Sequence, residues 1–495
     1  MTPAIAQLFP ANPLHRNRPA LIDASCALPA LTLTHDEVHQ HAARLAGALA
    51  GRGLVPGSRV VAILPNGLDL ALLYLACLHG GFTAVPIGID QPAETVAGLV
   101  AAVDPAMVIA APGVTAPDAV PLWRLDGPRS LVGLDAALAP ACPDPGQPLM
   151  IAFTSGTTSR PKGVCHAAGG MVANVRAFNR LAGLDAETRM LHVMPMTYMA
   201  GMLNTLLSPL AAGGCAILAP AFDVSTALRF WEPARTHGAN TAWLSPTMAA
   251  LLVRVHRDPQ VAAWTAANLR RVFAGTAPLP EKVAEDFHAC FGVRLLESYG
   301  MTEILLASVC LAPRHGVVGK LLEGVEMQTR TDEGAPLPAG TEGDLWVRSS
   351  YAMLGYLDAA GQVCPQGTES WFATGDIGLV DGDGILAISG RRKDLIIHGG
   401  VNVSPRAIEE VLLACPGVAD AAVIGMPHPF WGEEVVACLQ LAEGTALAEV
   451  EATAKAQCKA RLPAAAQPAR FAAFDRFPRN TTGKVQKHLL RASIA

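Results

Sequence analysis

Met150-Ile151-Ala152-Phe153-Thr154-Ser155-Gly156-Thr157-Thr158-Ser159-Arg160-Pro161-Lys162-Gly163 is the segment on which the reading of this 495-residue chain turns. It opens as an apolar strand, Met150-Ile151-Ala152, and then gathers hydroxyls, two glycines and a lysine into one short loop. Glycine lets backbone amides approach an anion closely, and hydroxyls and a lysine add donors for phosphate oxygens. The loop does not follow G-x-x-x-x-G-K-[ST], so an ordinary P-loop NTPase is not supported. On composition alone, a polar surface loop stays open beside a phosphate cradle.

Outward from this loop, strand and helix signals alternate. Arg59–Leu64, Met107–Ala111, Cys215–Leu218, Thr241–Leu244, Arg271–Ala274 and Val293–Leu296 read as short buried strands. Asp36–Ala50, Ser225–His237, Thr247–Val255 and Glu281–Phe291 read as helices. Such alternation means parallel sheets covered by helices, and those sheets bind ligands at the carboxyl ends of their strands. Leu68–Ile87 is the most apolar stretch, but Asp69, His79, Gly80 and Gly81 interrupt it. A membrane span needs roughly 20 uninterrupted apolar residues. The stretch therefore reads as a buried helix, a turn and a buried strand, Phe82–Ile87. Met1-Thr2-Pro3-Ala4 lacks the basic patch and apolar core of a signal peptide, and a cytoplasmic home is expected.

After about Gly316 the texture changes to turns, such as Asp332–Pro336 and Pro338–Gly340, around short strands such as Asp344–Arg348. A small β-rich subdomain is expected there. A new unit begins near Gly390, with a helix over Pro405–Ala414, strands near Ala421–Ile424 and Val435–Leu439, and a helix over Ala446–Arg461. The expected fold class is α/β. A large N-terminal domain, 1–389, holds two parallel α/β subdomains and the β-rich one; a small α+β C-terminal domain, 390–495, follows.

Composition excludes several classes. Apolar residues make up 51% and charged residues 16%, which rules out a disordered chain. A net charge of -5 lacks the basic excess of a nucleic-acid binder. Eleven cysteines, odd in number and without a C-x-x-C pair, argue against a disulfide framework or a cysteine-based zinc site. The histidines show no metal-ligand spacing. Gly382-Asp383-Gly384 fits a loose dinucleotide pattern, but Ile385–Ile388 reads as a strand rather than the helix that pattern needs, so Asp381-Gly382 is a hairpin turn.

The loop resembles the phosphate-binding signature T-S-G-T-T-G-x-P-K-G of the adenylate-forming superfamily, which includes acyl-CoA synthetases, adenylation domains and luciferases; Ser159 replaces the usual glycine. Four more segments resemble the family's motifs in the family's order: Tyr299-Gly300-Met301-Thr302-Glu303, Trp371–Asp376, Gly390–Asp394 and Pro478–Lys484. The resemblance implies that Thr154, Ser155, Gly156, Thr157, Thr158 and Lys162 hold the nucleotide phosphates. It implies further nucleotide contacts from Gly275, Thr276, Ala277, Ser298 and Gly300. By the same resemblance Tyr299 stacks on adenine, Thr302 touches the α-phosphate, Glu303 holds Mg²⁺, Asp376 binds the ribose and Arg391 reaches the nucleotide. Lys393 takes the hinge position of a mobile C-terminal domain, and Lys484 is the catalytic lysine.

The activity so implied is acid–thiol ligation. A carboxylic acid and MgATP give acyl-AMP and pyrophosphate, and the acyl group then passes to CoA. Gly399, Gly400 and Trp431 resemble CoA-contact segments, against which stands plain packing of Trp431 on the small domain. The acyl pocket is expected from Tyr198, Met199, Met202 and Leu203. Met194–Leu203 contains no acidic residue to pair with an α-ammonium and no basic residue for a second carboxylate. An apolar aliphatic or aromatic monocarboxylate is therefore expected. The alternatives are an adenylating enzyme that loads a carrier-protein phosphopantetheine and, from another class, a non-catalytic nucleotide-binding protein. A monomer or homodimer is expected, with no nucleic-acid partner.

Overall fold

In the computed structural model, which describes residues 2–9, 13–117, 120–154, 161–314, 316–367, 370–479 and 483–494, the strand–helix alternation becomes two parallel sheets. The first has the neighbour order Val363–Pro365, Gly355–Leu357, Lys162–Ala167, Pro148–Thr154, Thr83–Pro86, Arg59–Ile63, Met107–Ala110, Leu122–Arg124. It is parallel from Pro148–Thr154 outward to Leu122–Arg124. Pro148–Thr154 and Lys162–Ala167 are antiparallel, with Thr154 opposite Lys162. The phosphate-loop segment thus joins two strands of a hairpin, whereas a P-loop runs from strand into helix.

The second sheet is parallel through Pro19–Asp23, Cys215–Leu218, Arg189–His192, Thr241–Leu244, Arg271–Ala274 and Leu295–Met301. Beyond Leu295–Met301 it turns antiparallel, through Leu305–Val309, Val317–Leu321, Ile385–Arg391, Phe372–Val380, Gly343–Ser349 and Val325–Arg330. The β-rich subdomain is therefore hydrogen-bonded edge to edge with a parallel one. Asp381–Gly384 is the expected hairpin turn: Asp381 Oδ1 accepts from the amides of Asp383 (3.0 Å) and Ile385 (2.9 Å).

Leu68–Gly80 is a helix buried along nearly its whole length, closed by Gly81 at φ +73° and followed by the strand Thr83–Pro86. Its one acid, Asp69, accepts from the amides of Leu131 (2.7 Å) and Ser130 (3.3 Å), which satisfies the carboxylate inside the core. Among the described residues no helix is long and apolar enough to cross a membrane. One expected element is corrected. Ser225–His237 is not a continuous helix but a 3-10 turn, Ala227–Arg229, and a short helix, Trp231–Thr236. Pro233 lacks an amide hydrogen and is tolerated only in a first turn, so the helix starts just ahead of it.

After Ile385–Arg391 comes a 3-10 turn, Arg392–Asp394, and then a separate five-stranded sheet of Val401–Val403, Ile396–His398, Gly432–Leu441, Val418–His428 and Arg470–Ala473. The helices Pro405–Leu413 and Leu447–Arg461 bury Ile408, Leu412, Val450 and Ala454 on it. This smaller unit has its own core.

Candidate active site

The carboxyl ends of the parallel strands make a rim. Gly275, Thr276 and Ala277 follow Arg271–Ala274 on it. A Cβ at Gly275 would lie 2.9 Å from Ser298 Oγ and 3.3 Å from Trp243 Nε1, so a side chain there would crowd both groups. Thr276 is held at φ +72°. That conformation costs a β-branched residue about 1–3 kcal/mol and persists only where the surroundings over-determine it. Ser298 Oγ donates to the carbonyl of Ala274 at 3.1 Å and ties two strand ends together. Gly300 sits where the sheet changes from parallel to antiparallel, and a Cβ there would meet the Leu305 carbonyl at 2.3 Å.

Three of the expected nucleotide residues converge. Tyr299 Oη donates to Asp376 Oδ2 at 2.6 Å, and Arg391 Nε reaches Asp376 Oδ1 at 2.8 Å. Asp376 is 2% exposed, and a carboxylate that deep is tolerable because both oxygens are held. Burial, then the Asp376 charge, pushes the Tyr299 hydroxyl well above its ordinary range, so it stays a donor. The Asp376 amide donates to Thr374 Oγ1 (3.1 Å), which donates to the Leu345 carbonyl (2.8 Å).

Lys484 reaches this cluster from the small domain. The carbonyl of Gly483 accepts from Thr247 Oγ1 at 3.0 Å and from Arg479, which also pairs with Asp420. Thr247 is in the first turn of the helix Pro246–Val255 on the large domain. Burial lowers the half-buried Lys484 ammonium to about 8; Arg391 and Lys393 lower it too, while Asp394 and Asp376 oppose. The lysine thus lies within the field of the Asp376–Arg391 pair.

Glu303 and Thr302 form a second group. Glu303 Oε1 accepts from Tyr356 Oη at 3.0 Å, and Lys162 Nζ lies 5.3 Å from the Tyr356 ring centre. His166 Nε2 meets the Thr302 carbonyl at 2.5 Å. Burial pulls His166 down to about 4, so the ring is neutral and Nε2–H is the donor. Among the described residues no group of three or more His, Cys, Asp or Glu side chains could hold a metal unaided. Mg²⁺ keeps several waters and binds one or two carboxylates plus substrate phosphates, so Glu303 fits as a lone protein ligand.

The other expected residues divide. Ser155, Gly156, Thr157 and Thr158 lie outside the described residues, and Thr154 and Lys162 flank them as a strand pair. Lys393 is exposed in the 3-10 turn between the two units. Its neighbour Arg392 is tied to the large domain, with Nε 2.8 Å from Asp344 Oδ1 and Nη2 2.5 Å from Asp332 Oδ1. Gly399 and Gly400 adopt φ +58° and +81°, and the Gly399 amide donates to the Trp431 carbonyl at 2.8 Å. The Trp431 indole stacks on His398 at 5.1 Å between centres, yet stays 44% exposed. The same indole meets the Phe430 ring edge to face, at 4.6 Å between centres. Met202 and Leu203 are buried in the main core, while Tyr198 and Met199 are half-buried. Met202 and Leu203 lie on a π-helix, Ala200–Leu207, an irregularity frequent at functional sites.

Sequence reasoning assigned no role to Tyr356, Thr247, Arg479, Arg392 or His166. Tyr356 is 53 residues from Glu303, and Thr247 is 236 from Gly483. No local spacing signals such pairs.

The sequence and the fold have counterparts among known proteins. The family model for "AMP-binding enzyme" matches residues 11–357, and that for "AMP-binding enzyme C-terminal domain" matches 407–484. The sulfoacetate–CoA ligase of Cupriavidus necator is 32% identical over 481 residues, covering 92% of this chain and 91% of that one. A long-chain-fatty-acid–CoA ligase of Mycobacterium tuberculosis is 29% identical over 478 residues, covering 93% and 92%. The solved structure of ATP-bound MatB from Rhodopseudomonas palustris superposes with a TM-score of 0.88 at 28% identity, covering 100% of this chain and 99% of that one. The chain belongs to the AMP-binding enzymes of the adenylate-forming superfamily, as an ATP-dependent ligase of the acyl-CoA synthetase type.

Proposed function

We propose that this enzyme condenses a monocarboxylic acid with ATP at the rim formed by Gly275–Ala277 and Ser298–Glu303, and then passes the acyl group to CoA. The observation that carries the reading is Lys484, held by the Gly483–Thr247 contact within the field of half-exposed Arg391 and its buried partner Asp376.

In the first step a carboxylate oxygen attacks the α-phosphorus and pyrophosphate leaves. Two anions must meet, so catalysis is mostly positioning and charge neutralisation. Asp376 has its oxygens aligned by Tyr299 and Arg391 and accepts the ribose hydroxyls. The Lys484 ammonium bridges the acid and the α-phosphate. Thr302, its carbonyl anchored by neutral His166, presents its hydroxyl to the same phosphate, and Lys162, near the Tyr356 that holds Glu303, adds a cation for the phosphates. Mg²⁺ bound at Glu303 would neutralise phosphate charge. In the second step the CoA thiolate attacks the acyl carbonyl, forming the thioester carbon–sulfur bond as AMP leaves. The hinge at Lys393, with the domain boundary at 389/390, would let Lys484 withdraw and bring Gly399, Gly400 and the half-exposed Trp431 toward the thiol carrier.

The acid is read as a monocarboxylate because Met194–Leu203 presents no charge to pair with a second ionic group. AMP formation from MgATP should be measured over straight-chain, branched and aromatic acids, with and without free CoA. Strong CoA stimulation with one acid class is expected. Pyrophosphate release that CoA does not accelerate would turn the reading toward a carrier-protein acceptor.

A further inference from the structure

The loop that carries Lys484 is fastened at its base and near its tip. At the base, a backbone bridge joins Arg479 to Val485, and the Gln486 amide donates to the Pro478 carbonyl at 2.8 Å. The Arg479 guanidinium then turns back on its own loop. Nη1 donates to the Gly483 carbonyl and, at 3.1 Å, to Thr247 Oγ1, while Nη2 pairs with Asp420 Oδ2. Asp420 stands on the strand Val418–His428, and its other oxygen accepts from the Ala421 amide at 2.9 Å. The arginine is thus aimed from within the small domain, and a charge-assisted pair is a strong, directional anchor.

Thr247 supplies the large-domain side. Its helix, Pro246–Val255, starts just after the strand Thr241–Leu244, and Ser245 Oγ caps it by accepting from the Met248 amide at 3.2 Å. A capped start with proline in the first turn is preorganised. Leu244 pairs with Ala274, so this helix start lies on the same rim as Gly275. The Thr247 hydroxyl accepts from Arg479 and donates its one hydrogen to the Gly483 carbonyl at 3.0 Å. The fit is also steric. Gly483 has φ +85°, and a Cβ there would lie 3.0 Å from both Cβ and Oγ1 of Thr247. The backbone next to Lys484 is therefore pressed onto the helix start.

Of Thr247, Arg479, Gly483 and Asp420, Thr247 alone belongs to the large domain. In a turn of the small domain about Lys393 the other three would travel together, and the two bonds to Thr247 would break. Both are made to a neutral hydroxyl that water can satisfy on opening, so the net gain from closing is modest. Such a contact can form and break in each turnover.

We infer that Thr247 and Arg479 are positioning residues that form a catch between the domains, setting Lys484 for acyl-adenylate formation and releasing it for the thiol step. The inference rests on the ligase reading and deepens it, by giving the moving domain a stop that is distinct from its hinge.

The two half-reactions separate a catch from a merely structural role. Pyrophosphate exchange into ATP reads the first, with the acid of the panel that releases most AMP. Thioester formation from CoA and the supplied acyl-adenylate of that acid reads the second. Thr247→Val keeps the side-chain shape and removes the hydroxyl. Its kcat for exchange should fall about tenfold while KM for ATP stays within about twofold, because Tyr299, Asp376 and Arg391 are untouched. Its thioester formation should match or exceed that of the wild-type enzyme. Thr247→Ser, which restores the hydroxyl, should recover most of the lost exchange. Adding Thr247→Val to Arg479→Met should cost little beyond Arg479→Met alone, since both act through one contact. Unchanged exchange in Thr247→Val, or equal loss in both half-reactions, would overturn the inference and leave the ligase reading intact. A Thr247→Ser variant as slow as Thr247→Val would overturn it as well. If the wild-type enzyme exchanged pyrophosphate with no acid, the ligase reading would fall and this inference with it.

Discussion

At the residue scale the informative group is Lys484. An ordinary lysine stays charged until about pH 10.4, but this one is drawn down to about 8 by burial first and then by Arg391. Its proposed role needs the ammonium. The kcat/KM for adenylate formation, which reports groups of the free enzyme, should therefore fall as pH rises through about 8. Lys484→Ala should lower that half-reaction by roughly 10²–10³, the cost of losing one preorganised donor, and should abolish the basic limb. It should spare thioester formation from supplied acyl-adenylate. Equal loss in both half-reactions would place the lysine elsewhere in the mechanism. The same shift affects stability with a definite sign. Between about 8 and the unfolded value near 10.5 the unfolded chain binds more protons, so this group makes the fold more stable as pH rises through that window.

At the element scale the decisive piece is the 3-10 turn Arg392–Asp394, which joins the last strand of the large sheet to the first of the small one. Arg392 is anchored to Asp344 and Asp332, so the large-domain side of the turn is fixed. Lys393 is exposed and so free to absorb a change of φ and ψ. Proline at this position locks φ near −65°. Lys393→Pro should leave acid-dependent pyrophosphate exchange within a few-fold of normal and reduce CoA thioester formation at least tenfold. Normal overall turnover in that variant would remove the hinge from Lys393. The rim is a second element-scale device: Gly300 exists because the Leu305 carbonyl passes where its side chain would be, at the point where the sheet changes sense.

At the scale of the whole molecule, the core is divided. One cluster runs from Ala4 to Leu386 and ties both large sheets together, whereas the small unit buries Ile396, Ile408, Val423 and Leu439 among themselves. The link between them near the site is polar, made by Thr247, Gly483 and Arg479. Units with separate apolar cores and a polar interface unfold separately. Calorimetry should resolve two transitions, and a saturating ATP analogue that cannot be cleaved between the α- and β-phosphates should bring them closer together. One cooperative transition without ligand would show that the interface, rather than each core, sets stability.

Much of this was legible in the chain. The break in Leu68–Ile87 fell at Gly81 because glycine adopts φ +73° there without strain. Glu281–Phe291 was readable from its amphipathic spacing, and it closes on Gly292 in the left-handed region. Five short motifs in order were enough to name the superfamily, because phosphate and ribose chemistry needs particular side chains on particular turns. Ser225–His237 misread because helical periodicity outweighed Pro233, whose missing amide decides where a helix can begin. Tertiary structure alone decided the rest. Tyr356 meets Glu303 and Thr247 meets Gly483 only because separate strands and two domains bring them together. Local spacing records which residues share a turn or a face. Hydrogen bonds across the sheet rim, and burial that drives Lys484 and His166 below their ordinary values, depend on what packs above them.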